Sequence, residues 1–507
     1  MDAKKRIVVN TAAQYTKAVI NTLLSLYTVR LVLSIIGESD YGIMSIIMGI
    51  VGFLGFITNA LVVTTQRHLS YDYGNKDAVG VRRTFSNCFS LHLIIGVALI
   101  VVFLAIEPLI INETVLNIAD NRWRATHFIY RVVTLILFTT FITAPFKAVL
   151  IARENIVFIS AIEVLDGILK VAMVLCLPYV QFDKLETYSV MMLCIFLFEL
   201  TVYTIYDLTH FKECSPHHFF GDTNRQQLRQ LVGFAGWTTY GMGAIVGRNQ
   251  GVAWLFNFFY GTVLNAAYGV ANQIFTAVTF ISSSVSNAMN PQIMKSEGAG
   301  DRTHMLHMAE AECKIIVCTT TIVFIPIMME INGILSWWLT KVPAYTSFLA
   351  ISLLTAFLID QFTTGLNAAN QAIGRIRNYQ LMTYTPKLFI IPIGFLLLHY
   401  DYGIKSVMYC FITIEALVAL SRLPYLHYTA GLSIRHYARY VLRGCLALII
   451  FATVCAWLFT LTSTSRYRFF FTIPICCLLS TTFAWFVCLT SSERQQLKAT
   501  ILKKHKS

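Results

Sequence analysis

Ionisable residues inside long apolar segments are the side chains of this sequence best suited to do chemistry. A charge is costly in a bilayer core, so such residues persist where they pair, meet water or bind a charged ligand. The sequence contains twelve of them: Lys17, Arg30, Arg131, Glu163, Asp166, Lys170, Glu199, Asp207, Glu330, Asp360, Lys387 and Glu415. Arg30, Arg131, Asp207 and Glu330 lie near segment ends, where a charged group can reach the interface.

One group of these residues shares a helix face. Glu163, Asp166 and Lys170 are spaced i, i+3 and i+7, which places them on one side of a helix. Asp166 and Lys170 can neutralise each other as an i,i+4 pair, which leaves Glu163 as surplus charge. The group is interpreted either as a site that binds H⁺ or Na⁺, or as a buried ion-pair cluster that holds helices in register.

Two further carboxylates stand alone in their segments. Asp360 and Glu415 lie mid-segment with no opposite charge nearby in the sequence, and Glu199 is a weaker example. A desolvated carboxyl can exchange a proton near neutral pH. We therefore expect Glu163 with Asp166, Asp360 and Glu415 to be the candidates for binding a coupling ion, H⁺ or Na⁺. No other cofactor and no metal site is predicted.

A polar stripe offers a different chemistry. Asn265, Tyr268 and Asn272 are spaced i, i+3 and i+7. Amide groups and an aromatic face suit a cavity that receives sugar hydroxyls. Hydrogen bonds between membrane helices would use the same residue types, and the sequence does not separate these two interpretations.

The elements that must position these residues are membrane-spanning helices. Hydrophobic residues make up 56% of the chain and charged residues 13%, against about 45–50% and 25% in soluble domains. Segments near or above the roughly 17–25 apolar residues that cross a bilayer predict fourteen spans, at about 10–36, 41–66, 84–106, 126–145, 157–178, 187–208, 231–247, 262–289, 315–334, 346–366, 380–398, 405–424, 444–465 and 469–492.

The loops between these spans differ in charge. Of the 39 Lys and Arg residues, 26 fall on the side of the amino terminus and eight, Arg248 among them, on the other. Lys147 and Arg422 are assigned to loops on the first side. Cytoplasmic loops carry such an excess, so both termini are predicted to be cytoplasmic. The same bias explains much of the net charge of +13, and nucleic-acid binding is not expected.

The two halves of the sequence echo each other. Asp40-Tyr41-Gly42 and Ala267-Tyr268-Gly269 are 227 residues apart, and Arg153 and Arg375 are 222 apart. Parallel repeats of this kind form two lobes with the substrate site at their interface. We expect an all-α polytopic protein with a six-helix lobe at 1–208, a cytoplasmic linker at 209–230, a second six-helix lobe at 231–424, and an added helix pair with a basic tail at 425–507.

Catalytic motifs are missing from the sequence. No phosphate-binding loop, zinc-protease motif or serine-hydrolase motif occurs. The twelve Cys residues offer no metal or disulfide framework. We therefore do not expect an enzyme, and we expect no ATP hydrolysis by this chain.

The chain resembles the MOP exporter superfamily. The Tyr-Gly pair near the second span of each half, Pro291-Gln292 before a Gly-containing loop, and the span count carry the resemblance. Within the superfamily it is most similar to polysaccharide-unit flippases of the Wzx type, also called O-antigen translocases. The superfamily also contains MATE multidrug exporters and lipid II flippases.

The resemblance implies a central cleft and a role for certain cations. The first span of each lobe borders the cleft in this family, so Lys17 and Arg30 are expected to receive a phosphate-bearing head group. Lys387 is expected to contribute from the second lobe. Asn265, Tyr268 and Asn272 complete the expected substrate-binding set.

The function implied by the resemblance is the flipping of undecaprenyl-pyrophosphate-linked oligosaccharides across the bacterial inner membrane for surface polysaccharide synthesis. Membrane lipids and other polysaccharide-assembly proteins are the expected partners. A cation-coupled multidrug exporter and a lipid II flippase are the alternatives within transporters. A non-transporting scaffold or a glycosyltransferase of a polysaccharide complex is the alternative from another class.

Overall fold

The structure is a computed structural model, and every element among the residues that it describes is a helix. It describes residues 3–37, 40, 43–44, 47–49, 54–112, 120–216, 219, 224–339, 342–462, 467–491 and 493–495. The helices are α1 (Ala3–Ile36), α2 (Gly55–Gly74), α3 (Ala78–Ile110), α4 (Trp123–Ala152), α5 (Ile156–Cys176), α6 (Lys184–His210), α7 (Arg225–Gly298), α8 (Arg302–Met329), α9 (Ile331–Trp338), α10 (Thr346–Gln361), α11 (Thr364–Ile373), α12 (Ile376–Leu388), α13 (Ile390–His399), α14 (Gly403–Ala430), α15 (Ile434–Tyr437), α16 (Arg443–Thr462) and α17 (Phe469–Val487). The predicted all-α fold is confirmed.

Many of these helices can cross a membrane. In the described part of the chain, eight helical segments are long and apolar enough, of which one joins α12 to α13 and one joins α15 to α16; the number is nine when α10 and α11, bent by 47°, are taken as one span. The helices α1 and α7 are longer but more polar. On α3, apolar side chains such as Ile94 and Val101 are about 60% exposed. Such a surface is expected where a helix faces lipid.

The helix α7 has two arms. Its 74 residues are broken at Gly261, where φ is 74° and ψ is −167°. Only glycine adopts this backbone conformation readily. The predicted seventh and eighth spans are therefore the two arms of α7, before and after Gly261. The first arm continues without a break through Arg248.

The chain divides into two compact units. One is Val8–Met242, and the other combines Met1–Ile7 with Gly243–Ser507. The division lies inside α7, beyond the predicted linker at 209–230. The reason is that Leu231 and Ala235, at the start of α7, pack into the apolar core of the first unit.

The first unit is organised around α4, which packs against α2, α3 and α6. Phe141, Phe146 and Leu150 of α4 are fully buried. Contact on several sides explains why α4 buries a larger share of its apolar stretch than α3 does.

In the second unit, α14 packs against α10, α12 and α13, while α8 packs against α11, α16 and α17. A Cβ atom at Gly365 of α11 would lie 2.2 Å from the carbonyl oxygen of Ala309 in α8, so glycine permits this close packing.

A residue that follows the added helix pair, Glu493, contacts α8. Glu493 accepts hydrogen bonds from Lys314 Nζ (2.8 Å) and from the Tyr440 hydroxyl (2.5 Å). Burial acts to raise the pKa of Glu493, but these bonds and one from the Thr490 backbone lower it to about 2. The carboxylate is therefore ionised at neutral pH and fixes the end of the chain against α8.

Candidate functional site

Five charged side chains of the second unit form one buried network, which we call the carboxyl-terminal cluster. Glu415 of α14 pairs with Arg248 of α7 and, at 2.6 Å, with Lys387 of α12. Asp360 of α10 lies 2.9 Å from Arg422 Nη2 and 3.5 Å from Lys387 Nζ. Lys387 therefore bridges the two carboxylates.

This network is shielded from solvent. The side chains of Glu415, Lys387 and Arg422 are at most 5% exposed, and that of Asp360 is 21% exposed. Arg422 also donates to the Thr363 hydroxyl at 3.1 Å. Because the groups are desolvated, each charge depends on its partners for stabilisation.

The first unit has a corresponding network, the amino-terminal cluster. Glu163 of α5 pairs with Lys17 of α1 at 2.6 Å and with Lys147 of α4. Asp166 and Lys170 pair with each other at 2.7 Å. Glu199 of α6 interacts electrostatically with these residues and completes the cluster.

The two clusters occupy equivalent helices of the two repeats. When the arms of α7 are counted separately, the first cluster uses the first, fourth, fifth and sixth spans, and the second uses the seventh, tenth, eleventh and twelfth. Two positions also agree with the repeat spacing: Glu163 and Lys387 are 224 residues apart, and Glu199 and Arg422 are 223 apart. At both positions the first repeat has an acid and the second has a base.

The two clusters differ in net charge. The amino-terminal cluster has three bases and three acids, whereas the carboxyl-terminal cluster has three bases, Arg248, Lys387 and Arg422, and two acids. With all groups ionised, the carboxyl-terminal cluster carries one net positive charge. That charge can attract an anion.

Several sequence-based expectations need correction. Glu163, Asp360 and Glu415 do not carry unpaired charge, because each forms at least two ion pairs with residues distant in the sequence. These partners are not neighbours in the sequence, so the sequence does not indicate them. Glu163 is a surplus charge only when its neighbours Asp166 and Lys170, which pair with each other, are considered alone.

Three cations of the clusters were missed. Lys147 and Arg248 lie just beyond the predicted spans 126–145 and 231–247, and Arg422 was counted with a loop although it lies near the end of the predicted span 405–424. In the structure α4, α7 and α14 extend past all three predicted ends, so the three cations lie within helices. Two features of the sequence could have identified them. Each cation lies within a few residues of the end of an apolar segment, and the same repeat contains an acid with no partner nearby in the sequence.

The predicted sugar-binding stripe lies on the second arm of α7. The Tyr268 side chain is buried and contacts Phe256 edge-to-face at 5.4 Å. Asn272 Nδ2 donates to the Tyr268 backbone carbonyl at 3.0 Å, so this amide nitrogen bonds within its own helix. The side chains of Asn265 and of Arg30 in α1 lie outside the described residues. The substrate role of all these residues stays a prediction.

Two other intramembrane charges have partners from neighbouring helices. Glu330 accepts from Arg468 Nε at 2.8 Å. Arg131 pairs with Glu107 at 3.1 Å. The Arg131 side chain is 64% exposed, as its position near a segment end predicts. Glu330 and Asp207 are at most 3% exposed, so the expectation that they reach the interface is wrong for these two.

The described residues hold no group of three or more His, Cys, Asp or Glu side chains that could bind a metal ion. The twelve cysteines are free thiols. The clusters of ion pairs are therefore the main concentrations of chemistry in the described part of the chain.

No protein-family model matches the sequence, and no curated protein matches it either. Solved structures do match. An outward-facing multidrug resistance MATE family transporter of the MOP superfamily superposes with a TM-score of 0.70 at 14% identity, over 85% of this chain and 96% of that chain. A MATE in complex with MaL6 superposes with a TM-score of 0.71 at 14% identity, over 85% of this chain and 97% of that chain.

A third match is a MOP superfamily transporter from Pyrococcus furiosus, for which reverse polarity of the binding pocket is said to suggest a different function. Its TM-score is 0.68 at 13% identity, over 85% of this chain and 96% of that one. The chain has the MATE fold. The expected likeness to the superfamily is thus confirmed for the fold, while the polysaccharide-flippase subtype stays a prediction.

Proposed function

We propose that this chain is a non-enzymatic membrane transporter that works by alternating access and flips a lipid-linked oligosaccharide with an anionic phosphate head. It acts in the bacterial cytoplasmic membrane with both termini in the cytoplasm, and it serves surface polysaccharide synthesis. The lipid tail stays in the bilayer while the head group crosses. The MATE fold and the two charge clusters support this proposal.

The observation that carries the proposal is the surplus cation of the carboxyl-terminal cluster. A site for cationic drugs would gain from surplus negative charge, because opposite charges attract most strongly where water is excluded. Here Arg248, Lys387 and Arg422 outnumber Asp360 and Glu415. The MOP superfamily transporter from Pyrococcus furiosus, with its reverse pocket polarity, gives a precedent for a change of function by polarity on this fold.

A phosphate group would compete with the carboxylates for the same cations. Lys387 Nζ already lies between Glu415 at 2.6 Å and Asp360 at 3.5 Å. An anion that replaced either carboxylate would rearrange the pairing and so favour another state of the unit. Lys17, paired with Glu163 at 2.6 Å, is proposed to take the corresponding role in the first unit, together with Arg30.

The proposal is tested in proteoliposomes that contain a fluorescent undecaprenyl-pyrophosphate oligosaccharide. We expect protein-dependent movement of the label between leaflets, a loss of at least tenfold in the Lys387→Met variant, and no loss in the surface variant Arg302→Gln. A parallel assay follows efflux of a cationic dye.

The alternatives give different results. Dye transport without lipid movement would replace the proposal by multidrug export. Movement of lipid II alone would assign the chain to lipid II flipping. Movement of neither substrate by folded protein, shown by a cooperative melting transition, would favour a scaffold role. Release of a new glycan product would indicate a glycosyltransferase.

A further inference from the structure

The buried carboxyl group of Glu312 lies outside both clusters and has no charged partner in the described part of the chain. Glu312 of α8 is 1% exposed. Its Oε1 accepts a hydrogen bond from the Ser286 hydroxyl on the second arm of α7, at 2.7 Å. Its Oε2 is buried and has no hydrogen-bond partner among the described residues.

The surroundings of this carboxyl are apolar. Val285 and Met289 flank Ser286 on α7, Ile316 lies one turn from Glu312 on α8, and Ile7 of α1 packs against the same cluster. These side chains exclude water from the group. A buried polar atom without a partner is rare in folded proteins and calls for an explanation.

The nearby charged groups are occupied elsewhere. On the same helix, Glu310 pairs with His436 and Lys314 pairs with Glu493. The helices α11 and α17, which pack against α8, contain no Asp, Glu, Lys, Arg or His.

On the remaining neighbours, the charged groups lie near helix ends or belong to the two clusters. Asp360, in the last turn of α10, and Arg248 of α7 are in the carboxyl-terminal cluster, and Lys17 of α1 is in the amino-terminal cluster. Arg439 precedes α16, which begins at Arg443. Lys295 and Glu297 lie at the end of α7, and Arg6 precedes Ile7 on α1.

We propose that Glu312 is a proton-binding site of this chain. An isolated carboxylate in an apolar site is strongly unfavourable, and the neutral acid removes that cost. The proton is taken from water onto Oε2, while Ser286 continues to donate to Oε1. Release returns the proton to water and leaves a carboxylate that needs water or a cation beside it. The neutral acid therefore belongs to the state in which α7 and α8 are closely packed, and the carboxylate to a state in which they separate.

This site would couple a proton gradient to transport, a consequence that rests on the proposed function. Protonation favours the packed arrangement of α7 and α8, and deprotonation favours its opening. Ligand binding shifts such an equilibrium only through its different affinity for the two states. Here the ligand is the proton, and the difference in affinity comes from the exclusion of water.

The site is tested first without reference to transport. Difference infrared spectroscopy of the full chain in lipid, between acidic and alkaline buffer, should show the carbonyl band of a protonated carboxylic acid. One component of this band should be missing in Glu312→Gln and retained in Glu310→Gln, the matched control two residues away. Ser286→Ala should move that component to higher frequency, because a hydrogen bond to the group is lost. An unchanged band in Glu312→Gln would overturn the proposal.

The coupling is tested in the proteoliposome assay. Glu312→Gln should still move the lipid down its own gradient but should lose the response to an imposed pH difference, whereas Glu310→Gln should keep it. If the wild type moves the lipid and Glu312→Gln responds to the pH difference as the wild type does, the coupling role is refuted. If the wild type moves no lipid, the proposed function fails, and the infrared result still decides the proton site.

Discussion

Removal of one carboxylate from the carboxyl-terminal cluster should destabilise the protein strongly. In Glu415→Gln, Arg248 loses its charged partner and Lys387 keeps only its longer contact with Asp360, at 3.5 Å, while both cations remain buried. The side chains of Glu415 and Lys387 are 4% and 5% exposed, so solvent screening does not reduce the effect. Removing one partner of a buried pair costs about 3–5 kcal/mol, because the other charge stays uncompensated.

The expected change can be measured as a melting temperature in detergent. At about 2 °C per kcal/mol for a unit of this size, the loss corresponds to a decrease of roughly 6–10 °C. The surface variant Arg302→Gln is the control. The Arg302 side chain is 47% exposed, and exposed pairs contribute at most about 1 kcal/mol.

A double variant tests the physical reason. The double variant Lys387→Met with Glu415→Gln also removes one of the two cations that pair with Glu415, so it should be less destabilising than the sum of the two single changes, by about 0.5–3 kcal/mol. A melting temperature of Glu415→Gln equal to that of the wild type would refute the reasoning. If the effects of the two changes add strictly, Lys387 and Glu415 do not interact directly.

Three further predictions follow from the same structure. Glu163→Gln should lower the melting temperature more than Lys17→Met, because it leaves two cations uncompensated while Lys17→Met leaves Glu163 paired with Lys147; equal decreases would contradict the pairing. Gly261→Ala should cost about 1–3 kcal/mol through backbone strain, and an unchanged unfolding free energy would show that the break in α7 is absent. The folded-state pKa of Glu493 is lowered to about 2 from an ordinary value of about 4.3. The ionised carboxylate therefore stabilises the folded protein fully at a pH above the ordinary pKa, and this stabilisation disappears as the pH falls towards the folded-state pKa. The difference in melting temperature between wild type and Glu493→Gln should therefore be constant from pH 8 to 5.5 and narrow below pH 4.

Topology can be checked independently of the fold. The asymmetry of the basic loops predicts that a reporter fused after Ser507 is active only in the cytoplasm, and that one inserted near Asn117 is active only outside. Both positions lie outside the described residues. Activity of both reporters on one side would contradict the predicted orientation.

The helical architecture could be predicted because its signal is local. A span needs only a long apolar segment, and the repeat is visible from short motifs such as those around Tyr268. The ends of the helices were harder to predict. Lys147, Arg248 and Arg422 interrupt apolar segments and were read as loop residues, although tertiary pairing keeps them inside helices.

The clusters themselves could not be predicted because their contacts are long-range. Glu415 and Arg248 are 167 residues apart, and nothing local in the sequence links them. Glu312 was missed for a related reason. It lies before the predicted ninth span at 315–334, whereas α8 begins at Arg302 and buries it.

The most direct test of the account is the charge preference of substrate binding by the purified protein. Binding of undecaprenyl-pyrophosphate oligosaccharide is compared with binding of the same lipid without phosphate and with a lipophilic cation. The account predicts tight binding of the pyrophosphate form alone, weakened at least tenfold by Lys387→Met. Equal binding of the phosphate-free lipid, or preferential binding of the cation, would contradict it.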